Sequence, residues 1–171
     1  MRNRTFKLES GDNAAHEKTA KALNAVDADL RPFKARGGKL IVYHGWNDPA
    51  IPALSTVNYY DKVVAKMGQS EVDSFLRLYM VPGMQHCDNG PGADSFGQVG
   101  RLNFDDPPHS IDAALEQWVE KGTAPGTIIA SRFGEDKQHP TMTRPLCAYP
   151  QAAKYKGSGD TNDAASFVCQ K

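Results

Sequence analysis

The chain has no CxxC pair, no apolar stretch near the roughly 20 residues a membrane-spanning helix needs, and no Lys/Arg run longer than two. The first absence leaves zinc ribbons and thioredoxin-type dithiols unsupported. The second excludes a membrane-spanning helix. The third, with twenty basic residues balanced by twenty acidic ones, removes the electrostatic footprint expected of a nucleic-acid or anionic-membrane binder. Residues Met1–Lys7 lack the apolar core of a signal peptide. Export, if it occurs, is expected to be encoded elsewhere or already removed. Internal repeats are missing as well, and 171 residues suffice for one domain, or part of one, with a substantial core.

Cysteine is scarce, with Cys87, Cys147 and Cys169 the only three. Cys147 and Cys169 bracket a Gly/Ser/Asp-rich tail, Tyr155 to Asp163, that has little apolar surface. A disulfide closing that loop would restrict the unfolded chain by about 3 kcal/mol. The bridge is therefore expected, and with it an oxidising, secreted or periplasmic location. Cys87 is left over beside His86, and an odd cysteine in that place points to a partner outside this sequence.

What is present is a strand-helix-strand pattern. Ala15, Ala22, Leu23 and Val26 share one face of a thin N-terminal helix, and Pro32 and Gly37-Gly38 then punctuate a linker. Residues 39–44, apolar and bounded by glycines, read as a buried parallel strand. Leu54, Val57, Tyr60, Val64 and Met67 give a helical stripe that stops at Gly68. Residues 74–81 form a second buried strand, so a right-handed parallel crossover is expected. A long Gly/Pro-rich loop runs from Pro82 to His109. Ser110 caps a helix with Ile111, Leu115, Trp118 and Val119 on one stripe and Gly122 at its end, and residues 127–132 make a third strand. Beyond it the chain is polar and turn-rich, held by the expected bridge alone. The domain reading is a helix region over 1–26, a core over 27–146 and a disulfide-closed tail over 147–171.

Two segments thirty-eight residues apart carry the chemistry, Gly45-Trp46-Asn47-Asp48-Pro49 and Gly83-Met84-Gln85-His86-Cys87. Each follows a strand and places one polar residue at the mouth of the sheet, where open α/β sheets gather catalytic groups. A carboxylate at Asp48 can accept the Nδ1 proton of a histidine, fix its tautomer and stabilise the imidazolium that forms when Nε2 takes a proton. His86 is the histidine in the equivalent loop. Read singly, Asp48 is a turn residue and His86 a loop histidine. The strands before them and the helix between them favour a working pair. Trp46, Ile51 and Leu54 could line a pocket for an aromatic acyl group.

The stretch from Gly37 to Pro52, the Met84-Gln85-His86-Cys87 step with Gly90-Pro91-Gly92-Ala93, and the run from Leu115 to Pro125 resemble the C-terminal part of the tannase and feruloyl esterase family. The similarity extends from about Asp27 to Cys169. It implies a partial α/β-hydrolase fold with parallel strands, flanking helices and long catalytic-type loops. It also implies hydrolysis of phenolic acid esters, with Asp48 as acid and His86 as base of a Ser-His-Asp triad. In that family the cysteine after the histidine joins one immediately before the nucleophilic serine, which gives Cys87 a partner outside this chain. The serine elbow, and the substrate lid with its calcium, belong to upstream segments this sequence does not contain. No cofactor is therefore expected here.

No serine in the chain has an elbow setting. Residues 93–97 come closest, with Ser95 central, but they follow a Gly-Pro-Gly loop rather than a strand, and Ser55 suits a helix cap. A metal site drawing on His44, Asp48, His86, His109, His139 and Cys87 lacks the spacing of a zincin, and His44 reads as a structural histidine at a strand end. The competing view is non-catalytic: a chain that self-associates through an exposed sheet edge, or pairs with a separate nucleophile-bearing chain.

Overall fold

Leu76, Leu78 and Met80 pack to one side of their strand, while Tyr79 and Val81 pack to the other, and all five are buried. A strand covered on both faces is the axis of this architecture, seen in a computed structural model that describes residues 17–20, 22–98, 101, 104 and 106–171. The elements run α1 (Arg31–Ala35), β1 (Leu40–Gly45), α2 (Ala53–Met67), α3 (Gln69–Asp73), β2 (Leu76–Val81), α4 (Ile111–Lys121), β3 (Thr127–Phe133) and β4 (Pro140–Cys147). After them come β5 (Ala152–Tyr155), a 3-10 turn (Ala164–Ser166) and β6 (Phe167–Gln170).

β1 and β2 pair in parallel from Leu40↔Leu76 to Gly45↔Val81, with α2 and α3 between them in the chain. α2 covers one face through Ala53, Val57, Tyr60 and Val63, a stripe at helical spacing. α4 covers the other through Ile111 and Ala114, joined there by Met84, Ala93 and Phe96 of the long loop. β1 is half-buried along Leu40–His44 rather than fully buried as expected. It pairs only with β2, so its second edge is open among the described residues.

Local chemistry sets the ends of the helices. The Ser110 hydroxyl accepts from the Ala113 N–H at 3.2 Å, and Gly122 closes α4 at φ +70°. Pro52, without a side-chain cap, starts α2, so Ser55 is an ordinary first-turn residue and not the cap. The apolar stripe of α4 is Ile111, Ala114 and Trp118; Val119, expected on it, is exposed. Leu54 likewise lies outside the buried stripe of α2. Near the N-terminus, residues 17–20 and 22–23 are helical, but Leu23 and Val26 are exposed, and Ala15 lies outside the described residues.

The C-terminal third is more ordered than its composition suggests. β3 and β4 pair antiparallel, as do β5 and β6, and Cys147 is bonded to Cys169 with the Cα atoms 5.6 Å apart. The bridge is present, but it does not hold the tail alone. The Ala164 N–H donates to the Thr143 hydroxyl at 2.8 Å, and the Arg144 guanidinium lies 4.5 Å from the centre of the Phe167 ring. The Tyr149 N–H donates to the Leu78 carbonyl at 2.8 Å, which ties this region to β2.

Candidate active site

Gly45 ends β1 where the chain passes directly under the second loop. A Cβ at this position would collide with the Met84 and Gln85 carbonyl oxygens, so only glycine allows the two backbones to meet. They are then stitched together: the Trp46 N–H donates to the Val81 carbonyl at 2.9 Å and the Asn47 N–H to the Met84 carbonyl at 3.0 Å. This contact brings Asp48 and His86 to the same place.

His86 Nδ1 lies 2.7 Å from Asp48 Oδ2. Asp48 Oδ1 accepts from the Ala50 N–H at 2.8 Å and the Ile51 N–H at 2.9 Å, a closed turn that Pro49 favours. The Asp48 side chain is only 3 % exposed, whereas that of His86 is 56 % exposed. Burial of the carboxyl opposes ionisation. The Ile51 N–H, the His86 ring, the Ala50 N–H and the charge on His86 outweigh it and hold the Asp48 pKa well below the usual carboxylate range. A buried carboxylate favoured in its charged form therefore faces an accessible imidazole. With Nδ1 committed to Asp48, His86 Nε2 has no hydrogen-bond partner among the described residues and is the nitrogen able to exchange a proton.

The loop that carries His86 is shaped by its own backbone. Cys87 and Asn89 adopt φ of +65° and +60°, and the Gln85 N–H donates to the Asn89 carbonyl at 3.0 Å. Beyond the turn, the Asn89 N–H donates to Asp94 Oδ2 at 2.7 Å, and the Arg132 guanidinium donates to the Gly90 carbonyl at 2.7 Å. Gln98, fully buried, bonds the Asp94 and Cys87 carbonyls and accepts from the Phe96 N–H. Over residues 85–98, the long loop read from sequence is thus a packed structure around the histidine. Cys87 itself is a free, exposed thiol.

A cleft of about 160 Å³ at the pair is lined by Tyr43, His44, Gly45, Asp48, Ile51, Met84, His86 and Cys87. Ile51 belongs to this wall. Trp46 lines a separate cavity with Met80, Pro145 and Tyr149, since the residue after Gly45 turns toward the C-terminal strands. Leu54 lines neither cleft and is exposed. A larger cleft of about 350 Å³, lined by Asn89, Asp94, Arg101, Arg132 and Lys137 among others, includes neither member of the pair.

Among the described residues, no serine lines the cleft at His86. Ser95 is buried and locked by paired backbone bonds to Ser131, at 2.9 and 2.7 Å. His109 and His139 sit in separate local pairs with Asp106 and Asp136. Sequence reading missed a further neighbour. His44, taken as a structural histidine, places Nε2 3.1 Å from Asp48 Oδ2 and Nδ1 2.7 Å from the Thr56 hydroxyl. Its four-residue spacing from Asp48 is visible in the sequence, but contact across it depends on the turn at Pro49.

Comparison with known proteins gives a consistent set. The profile described as Tannase and feruloyl esterase matches residues 2–170. An uncharacterized esterase of Xanthomonas campestris pv. campestris is 39% identical, covering 91% of this chain and 30% of its own length. The mono(2-hydroxyethyl) terephthalate hydrolase of Piscinibacter sakaiensis is 43% identical over 85% of this chain and 22% of its own. The crystal structure of feruloyl esterase B from Aspergillus oryzae superposes with a TM-score of 0.86 and 31% identity, covering 97% of this chain and 33% of that one. The chain spans about a third or less of the length of these relatives.

Proposed function

Because the chain belongs to the tannase and feruloyl esterase family, we propose that it supplies the acid and the histidine of a carboxylic ester hydrolase acting on phenolic acid esters. The observation that carries this reading is the 2.7 Å bond between His86 Nδ1 and the buried carboxylate of Asp48, with Nε2 left accessible. Asp48 fixes the tautomer and stabilises the imidazolium. His86 Nε2 takes the proton of a nucleophilic hydroxyl as that oxygen attacks the ester carbonyl, then returns it to the departing alcohol. Water repeats the sequence and releases the acid from the acyl-enzyme. Backbone N–H groups beside the nucleophile complete an oxyanion hole.

The nucleophilic serine of this scheme comes from sequence outside these 171 residues. The greater length of the relatives supports that assignment, as does the isolation of Ser95 from His86. Cys87, exposed beside the histidine, would bond a cysteine near that serine. The disulfide between Cys147 and Cys169 accords with an oxidising, secreted or periplasmic location. An aromatic acyl group is favoured because one relative is named for a terephthalate ester and one structural neighbour is a feruloyl esterase. Ile51 is the wall residue for that group, with Trp46 and Leu54 placed further from the pair. No step passes through a cofactor.

Hydrolysis of p-nitrophenyl acetate and methyl ferulate tests the reading. Activity that disappears in Asp48→Ala and His86→Ala supports the pair. No activity above those variants, in this chain and in the protein from its native source, would leave a binding module that self-associates or pairs with another chain. Non-reducing electrophoresis of native material distinguishes a partner joined through Cys87 from a lone 18.7 kDa species.

A further inference from the structure

We propose that His44 is a positioning residue for Asp48, held in a single tautomer by Thr56; the inference rests on the reading of Asp48 and His86 as acid and base. His44 Nε2 faces two oxygens, Asp48 Oδ2 at 3.1 Å and the Ile51 carbonyl at 3.2 Å. The ionised carboxylate and the carbonyl only accept, so Nε2 carries the hydrogen. On the far side of the ring, Nδ1 lies 2.7 Å from the Thr56 hydroxyl, which can donate to it when Nε2 carries the only ring hydrogen. The His44 side chain is 11 % exposed, so the ring is shielded from competing water.

This arrangement completes the hold on the carboxylate. Oδ1 is fixed by two backbone N–H groups, but Oδ2 would otherwise be held only by His86, whose side chain is half-exposed on a loop. His44, at the end of β1, pins Oδ2 from the protein side and aims it at His86 Nδ1. A charged ring here would compete with His86 for the same negative charge. A neutral ring with its Nε2–H on the Ile51 carbonyl sits 3.1 Å from Oδ2, and leaves that charge to stabilise an imidazolium at His86. The line Thr56–His44–Asp48–His86 thus runs from the first turn of α2 through the strand end to the accessible Nε2.

Long-range proton–nitrogen correlation spectra of the nitrogen-15-labelled chain, in mildly alkaline buffer where free imidazole is neutral, read the tautomer of each histidine directly. Wild type should show His44 as the neutral Nε2–H form and His86 mainly as Nδ1–H. His44→Phe, which keeps a ring but no donor, should lower the Nδ1–H to Nε2–H ratio at His86 by about tenfold, equivalent to about 1.4 kcal/mol. His44→Gln, whose amide can donate in place of Nε2, should restore it. Thr56→Val should mix the tautomers of His44 and lower the His86 ratio while leaving thermal melting nearly unchanged. A charged or Nδ1–H His44 in wild type overturns the proposal. So does an unchanged His86 ratio in folded His44→Phe or, if that variant does not fold, in Thr56→Val. Intact tautomers without ester hydrolysis would count against the enzymatic reading and leave the positioning role standing.

Discussion

At the scale of single residues, Asp48 is defined by three hydrogen bonds to its two oxygens, from the Ala50 and Ile51 N–H groups and from His86, with His44 Nε2 3.1 Å from Oδ2. Its folded-state pKa is depressed, so the stability linked to its charge is present above the ordinary carboxylate value of about 3.9 and is lost as pH falls toward the folded-state value. Asp48→Asn should therefore be less stable than wild type near neutrality. The gap should narrow as pH drops below about 4. Urea midpoints measured across that range check this, and a gap that widens in acid would contradict it. The same residue shows what a sequence can and cannot display. Asp48 and His86 stand out because each follows an apolar strand. The role of His44 is hidden because it needs the turn at Pro49 to bring positions 44 and 48 together.

At the scale of elements, the site exists because one backbone crossing is tight. Gly45 lies against the Met84 and Gln85 carbonyls, and any side chain there would push the histidine loop away from the acid turn. Gly45→Ala should cost about 1–3 kcal/mol through overpacking, measured by urea denaturation, and an unchanged midpoint would show that the loop yields freely. Legibility follows the physics of each element. β1, α2, β2 and α4 announce themselves because an apolar run or stripe ends at a glycine or, for α4, begins at Ser110. α3 is five residues long, too short to establish a period. β4 contains Pro140 and Pro145, which argue against a strand, so its hairpin with β3 is not signalled by its pattern.

At the scale of the whole molecule, two apolar clusters sit on opposite faces of the β1–β2 pair, and the C-terminal strands are fastened beside them. The disulfide closes a loop with a sequence separation of 22 residues. Cys169→Ser should lower stability by about 3 kcal/mol, read from denaturant midpoints. Reducing the wild-type protein should produce the same loss and leave the variant unchanged. A much smaller effect would mean that Arg144, Thr143 and the β5–β6 hairpin already order the tail in the absence of the bridge. Among the described residues the second edge of β1 is open, and the chain matches 33% of the length of the feruloyl esterase B structure.

The turn after His86 has a consequence of its own. Cys87 adopts a left-handed backbone at φ +65°, a conformation that glycine occupies without the roughly 1 kcal/mol penalty of a Cβ. Gly83, Gly90 and Gly97 of the same loop also adopt positive φ. Position 87 therefore holds a costlier residue than its geometry demands, and what distinguishes it from glycine is the sulfur. Form and reactivity separate here: the turn at residue 87 is one that glycine also adopts, while the exposed thiol beside the histidine is what cysteine adds.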